Sequence, residues 1–121
     1  MSIVPAISVG ILGPLIGCVH SSFARNYRLE SLYENEREGA VKRRIITLIW
    51  HLPSLTWGAL SLAVMAARLS GSGNMLVTIL AMFIFAVSGM GNLWAHRRPF
   101  IGGVLLLATA ALVATDWLAN R

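Results

Sequence analysis

The stretch IITLIWHLPSLTWGALSLAVMAA, residues 45–67, decides the fold of this chain. His51 is its only ionisable residue. Because roughly 20 apolar residues in an α-helix cross a bilayer core about 30 Å thick, the stretch predicts a transmembrane helix. Three further apolar stretches, 3–23, 75–94 and 100–117, predict three more spans. The chain is therefore expected to cross the bilayer four times.

The composition supports one membrane domain over residues 1–121. Only 12% of the residues are charged and the mean hydropathy is +0.69, whereas soluble domains carry about 25% charged residues. The four spans leave no room for a separate soluble domain. We predict an all-α membrane four-helix bundle with short loops and one longer connector, residues 24–44, and the lipid bilayer as its main partner.

The basic residues predict the orientation in the membrane. Six of the ten lie between the first two spans and two lie between the last two, while the opposite side has only two. In chain order these three groups are Arg25, Arg28, Arg37, Lys42, Arg43 and Arg44; Arg97 and Arg98; and Arg68 and Arg121. By the positive-inside rule both basic loops face the cytoplasm and both termini face outward. The net charge of +5 thus reflects topology, and no nucleic-acid partner is expected.

Small residues recur on one side of each of the first two spans. In lipid, such faces let helix backbones approach closely, so we expect both to pack inside the bundle. The faces consist of Gly10, Gly13, Gly17 and Ser21, and of His51, Ser54, Gly58 and Ser61. Cys18 cannot form an intrachain disulfide, because it is the only cysteine, and it is expected to be an ordinary buried thiol.

The connector 24–44 holds most of the acidic residues. Tyr27 and Tyr33 share an apolar side with two leucines, and Glu30, Glu34 and Glu38 follow helical i,i+4 steps. The pattern predicts a short helix on the membrane surface. Charge runs of this kind are usually solvated, so we favour a salt-bridged connector over a catalytic carboxylate cluster.

The three histidines are the candidate functional residues. With the predicted topology, His20, His51 and His96 all lie towards the cytoplasmic face. Imidazole is the commonest metal ligand, so His20 and His51 are candidates to bind a haem iron or a transition metal, with His96 as a third metal ligand. Two alternatives stay open, namely proton handling and structural hydrogen bonds to nearby hydroxyl or carbonyl groups.

No catalytic motif supports an enzyme. Metal signatures such as Cys-x-x-Cys and His-x-x-x-His do not occur, and neither does the nucleophile motif Gly-x-Ser-x-Gly. Ser70-Gly71-Ser72-Gly73 is a turn composition, because no Lys-Ser or Lys-Thr follows it as a phosphate loop requires. A non-enzymatic role is therefore favoured.

Several short motifs carry a family resemblance. His20-Ser21, then Trp50-His51-Leu52, then a histidine in the turn after the third span resemble a group of small, uncharacterised bacterial four-helix inner-membrane proteins. Those sequences read Gly-Glu where this chain has Ala24-Arg25, and threonine where it has Pro53. The resemblance implies the fold and a bacterial inner-membrane location, and it implies no activity.

Three functions are compatible with this sequence. The first is a structural, accessory or assembly role, alone, as a homo-oligomer or with a partner membrane protein. The second is a haem- or metal-binding protein using the histidines. The third is an oligomeric small transporter, because the chain resembles the small multidrug exporters in length and number of helices. Those exporters depend on a glutamate in the first helix, and this first helix has no acid.

Overall fold

The computed structural model describes residues 3–26, 39–96 and 100–120. Four helices run in chain order: α1 (Val4–Asn26), α2 (Gly39–Leu69), α3 (Met75–His96) and α4 (Ile101–Ala119). All regular secondary structure in the described residues is α-helical. The prediction of an all-α four-helix bundle is confirmed.

All four helices contain segments long and apolar enough to cross a membrane. These segments are Val4–Ser22, Arg44–Leu69, Met75–His96 and Ile101–Ala119, and each boundary lies within a few residues of the predicted one. Large apolar side chains such as Leu76, Phe83 and Trp94 are exposed on the outside of the bundle. Because lipid rather than water solvates such surfaces at low cost, the chain has the architecture of a multi-pass membrane protein.

The helices pack as two antiparallel pairs, α1 with α2 and α3 with α4. The pairs meet mainly where α1 contacts α4, and α2 contacts α3 over a smaller area. All four helices contribute to one core. Its buried apolar side chains are Val9, Ile16, Trp57, Val64, Ala81, Phe85, Leu106 and Val113.

A tight turn at residues 70–74 makes α2 and α3 antiparallel, as its composition predicts. Gly71 has a φ of +68°, in the left-handed region that suits glycine. The amide of Ser72 donates to the carbonyl of Ala67 at 3.1 Å, which satisfies one carbonyl at the end of α2. Asn74 then caps α3, since its Oδ1 accepts from the amides of Leu76 at 3.0 Å and Val77 at 3.3 Å.

The small faces of α1 and α2 pack against each other, as expected. Gly13 lies directly against the Ser61 side chain. A Cβ atom at Gly17 would lie 2.7 Å from the backbone oxygen of Ser54. Ser54 and Ser61 are buried in this interface. The two backbones are therefore in close contact along the interface, which is the form of helix association that operates in lipid.

The structure differs from the sequence-based expectations for Cys18 and for the length of the connector. The prediction that Cys18 is buried is wrong, because the side chain is exposed. Cys18 follows Gly17 and points away from the α2 interface that Gly17 occupies. The connector is shorter than predicted, since α1 continues to Asn26 and α2 begins at Gly39. The predicted surface helix falls largely on residues 27–38, outside the described residues.

Candidate functional site in the bundle

A cavity of about 420 Å³ lies at the end of the bundle where α1 and α3 end and α4 begins. We call this end the histidine end. Leu15, Ile16, Val19 and His20 of α1 form one wall. The facing wall is formed by Phe100 and the first turns of α4, namely Ile101, Gly102, Leu105 and Leu106. Trp50 and Trp57 of α2 and Asn92 and His96 of α3 complete the lining.

His20 is held between two indole rings. Its ring stacks on Trp50 with centroids 4.7 Å apart and an interplanar angle of 11°. It meets Trp57 edge-on, at 5.2 Å and 73°. The indole nitrogen of Trp50 also donates to the backbone oxygen of His20 at 3.1 Å. Because Trp50 and Trp57 are seven residues apart on α2, two helical turns place both on the face that meets α1.

Asn92 is fixed by a polar contact between α2 and α3. The indole nitrogen of Trp57 donates to Oγ of Ser88 at 3.1 Å. The amide of Asn92 donates to the backbone oxygen of Ser88 at 2.8 Å, one turn earlier on the same helix. Ser88, Asn92 and His96 are spaced by four residues and therefore share one face of α3. The structure places Asn92 and His96 together in the cavity lining.

His96 lies where α3 ends, and its ring is exposed. It stacks on Phe100 with centroids 4.2 Å apart and an interplanar angle of 28°. Phe100 directly precedes α4, so the short connection between α3 and α4 brings the two rings together. This pair forms the rim of the cavity at the histidine end.

His51 does not contribute to the cavity lining. Its Nδ1 lies 3.0 Å from Oγ of Ser21, and the tautomer decides which atom donates. The structure thus brings His20 and His96 to one cavity and gives His51 a separate hydroxyl partner on α1. The hydrogen bond agrees with the structural interpretation of a histidine near a hydroxyl group.

The same three histidines are the predicted metal ligands. In residues 3–26, 39–96 and 100–120, no group of three or more His, Cys, Asp and Glu side chains is placed to hold a metal ion. Binding of haem or a metal by His20 and His51, with His96 as a third metal ligand, stays a prediction.

The lining combines aromatic walls with a few neutral polar groups. Its polar members are Asn92 and the two imidazoles, and none of the described lining residues is Lys, Arg, Asp or Glu. The lining also contains no Ser, Thr or Cys nucleophile beside a base. This arrangement can bind an apolar molecule and orient its polar end, as ligand pockets of a few hundred Å³ commonly do.

Sequence reasoning identified His20 and His96 and missed the aromatic residues. Trp50 and Trp57 carried a usable signal, since their spacing of seven puts both on one helical face. Phe100 carried none, because its ring contact with His96 depends on how the end of α3 meets the start of α4. Comparisons with protein-family models, with curated proteins and with solved structures give no significant match to this chain.

Proposed function

We propose that this protein is a small polytopic protein of the bacterial inner membrane with an accessory, non-enzymatic role. It acts by holding an apolar, membrane-dissolved molecule in the cavity at the histidine end. The cavity itself is the observation that carries the proposal. At about 420 Å³ it falls within the size range of small-molecule sites, and its walls are largely apolar and aromatic.

The fold supports a binding role in two ways. The cavity adjoins the core, since Ile16, Trp57 and Leu106 belong to both. Its walls also come from all four helices, so a bound molecule would contact every helix. A protein of this kind can present or protect a membrane-dissolved molecule for a partner membrane protein or within a homo-oligomer. The resemblance to bacterial inner-membrane proteins stays a prediction.

The cavity proposal is tested by filling the site. Leu105 lines the cavity, whereas Leu112 lies two turns further along α4 and does not, and both are partly buried against the core. We expect decylbenzene to raise the melting temperature of the wild type in lipid nanodiscs in a saturable way, because it binds only the folded protein. Leu105→Phe should weaken this binding at least tenfold, and Leu112→Phe should preserve it. Equal binding by both variants would place the molecule elsewhere.

The proposed orientation puts the histidine end at the cytoplasmic face. It follows from the distribution of basic residues in the sequence, because Arg97 and Arg98 come directly after His96, whereas Arg68 is in the last turn of α2, at the opposite end. We expect a periplasm-active reporter fused after Arg121 to be active and the same reporter inserted at Glu34 to be silent. A silent fusion after Arg121 together with an active insertion at Glu34 would overturn the orientation.

Haem or metal binding is the second candidate, and one observation favours it. His20 lines a cavity with flat aromatic walls, which suits a planar group. An optical spectrum and metal analysis of the same purified protein separate the candidates, since only bound haem gives a Soret band. The transporter hypothesis gains no comparable support, because no carboxylate stands among the described lining residues.

A further inference from the structure

We infer that the cavity takes a neutral ring-bearing lipid with carbonyl oxygens on the ring, of the benzoquinone type. Its ring would lie at the histidine end beside Asn92 and His96, and its tail would leave the bundle between α1 and α4. This inference rests on the proposed function and names the chemical class of the molecule. It concerns binding alone.

The polar groups of the lining favour a ligand that accepts hydrogen bonds. The Asn92 amide donates one N–H to Ser88 and keeps a second N–H for a ligand. The His96 imidazole at the rim supplies a further N–H, because every protonation state of the ring carries at least one. These donors match carbonyl oxygens at the edge of a ring.

The walls favour a flat, uncharged head group. The cavity is lined by the rings of Trp50, Trp57 and Phe100, and aromatic side chains pack well against other flat rings. A phosphate or carboxylate head group would require a cation to compensate its charge in this low-dielectric region. The described lining residues include no Lys or Arg. The described part of the lining is neutral and largely apolar, which suits a neutral lipid.

An apolar opening connects the cavity to the lipid. Leu15 and Val19 of α1 line the cavity and are 54% and 49% exposed, and Ile101 of α4 is 70% exposed. Leu15 and Val19 are one turn apart and so share a face of α1. Residues that both line a cavity and contact the surroundings mark its mouth. This mouth lies between α1 and α4 and offers an apolar path for a hydrocarbon tail.

The test compares a ligand that carries carbonyl oxygens on its ring with one that carries none, both with the same decyl tail. In lipid nanodiscs, the dissociation constants of 2-decyl-1,4-benzoquinone and decylbenzene are obtained from the ligand-dependent rise in melting temperature. We expect the quinone to bind at least tenfold more tightly to the wild type. Asn92→Leu should weaken quinone binding about fivefold, the effect of one lost hydrogen bond, and leave decylbenzene binding unchanged.

Two further variants make the comparison decisive. Thr78→Val removes a side-chain hydrogen bond to the backbone oxygen of Asn74, at the start of α3 and outside the cavity, and should change neither constant. His96→Phe keeps a ring against Phe100 at an exposed position and should also weaken only quinone binding. Equal constants for both ligands in all variants would overturn the inference and leave the proposed function intact. No saturable stabilisation by either ligand would overturn both.

Discussion

Gly17→Leu is expected to lower the free energy of unfolding by about 3 kcal/mol, the upper end of the usual cost of overpacking. A Cβ atom at Gly17 would lie 2.7 Å from the Ser54 backbone oxygen, and backbone cannot rotate away as a side chain can. The new side chain would therefore separate α1 from α2 along the most extensive interface of the bundle. Unfolding by sodium dodecyl sulfate, followed by circular dichroism, measures the effect.

Gly91 provides the matched control for this prediction. Gly91 is also a helical glycine, but beyond its own stretch of helix no described residue lies within 4 Å of the position where its Cβ would be built. Gly91→Leu should therefore leave the free energy of unfolding unchanged or raise it by up to about 1 kcal/mol, because leucine has a higher helix propensity than glycine. Similar destabilisation by the two leucine variants would mean that close approach of α1 and α2 is not what Gly17 provides.

Asp116→Leu is expected to cost about 2 kcal/mol through loss of an interhelical ion pair. Nε of Arg68, on α2, lies 3.5 Å from Oδ1 of Asp116, on α4, at the end of the bundle opposite the histidines. Nε is buried with no hydrogen-bond partner in the described residues, so the contact is ionic. Asp116 is 7% exposed, and Asn120 donates to its Oδ1 at 3.2 Å.

The size of this cost follows from what remains after the substitution. Removing one partner of a fully buried pair costs about 3–5 kcal/mol, because the other charge stays buried without compensation. The Arg68 side chain is 21% exposed, so it regains part of its solvation and the expected cost is lower. The double variant Arg68→Leu, Asp116→Leu should recover most of the stability, since apolar pairs replace buried ion pairs well. If the double variant loses as much stability as the Arg68→Leu and Asp116→Leu single variants combined, the two residues are not coupled and the prediction is wrong.

Both predictions depend on contacts between residues that are distant in sequence. Such contacts could not be predicted from the sequence, whereas the features of each single helix could. The small face of α1 could be predicted because Gly10, Gly13 and Gly17 recur at helical spacing. The partner of each glycine could not, since the register between α1 and α2 depends on the packing of both helices. Asp116 was visible as the only acid in the spans, but nothing local to either residue indicated Arg68.

The candidate site also has features that the sequence predicted and features that it did not. The sequence indicated that three histidines lie towards one membrane face, from topology and depth alone. It did not distinguish His51, which pairs with Ser21, from His20, which lies between two indoles. Depth in a membrane is a property of one helix. The direction in which a side chain points depends on helix rotation, which only the neighbouring helices determine.

The sequence by itself determined that four α-helices of membrane-spanning length form one bundle. The reason is that backbone groups in lipid must be satisfied within each segment, so apolar length alone specifies a spanning helix. Tertiary structure decided which faces meet: Gly17 against Ser54, Arg68 with Asp116, and His20, Asn92, His96 and Phe100 around one cavity. In lipid the surroundings are as apolar as the core, so hydrophobicity does not mark the inner face, and close packing between particular side chains fixes it.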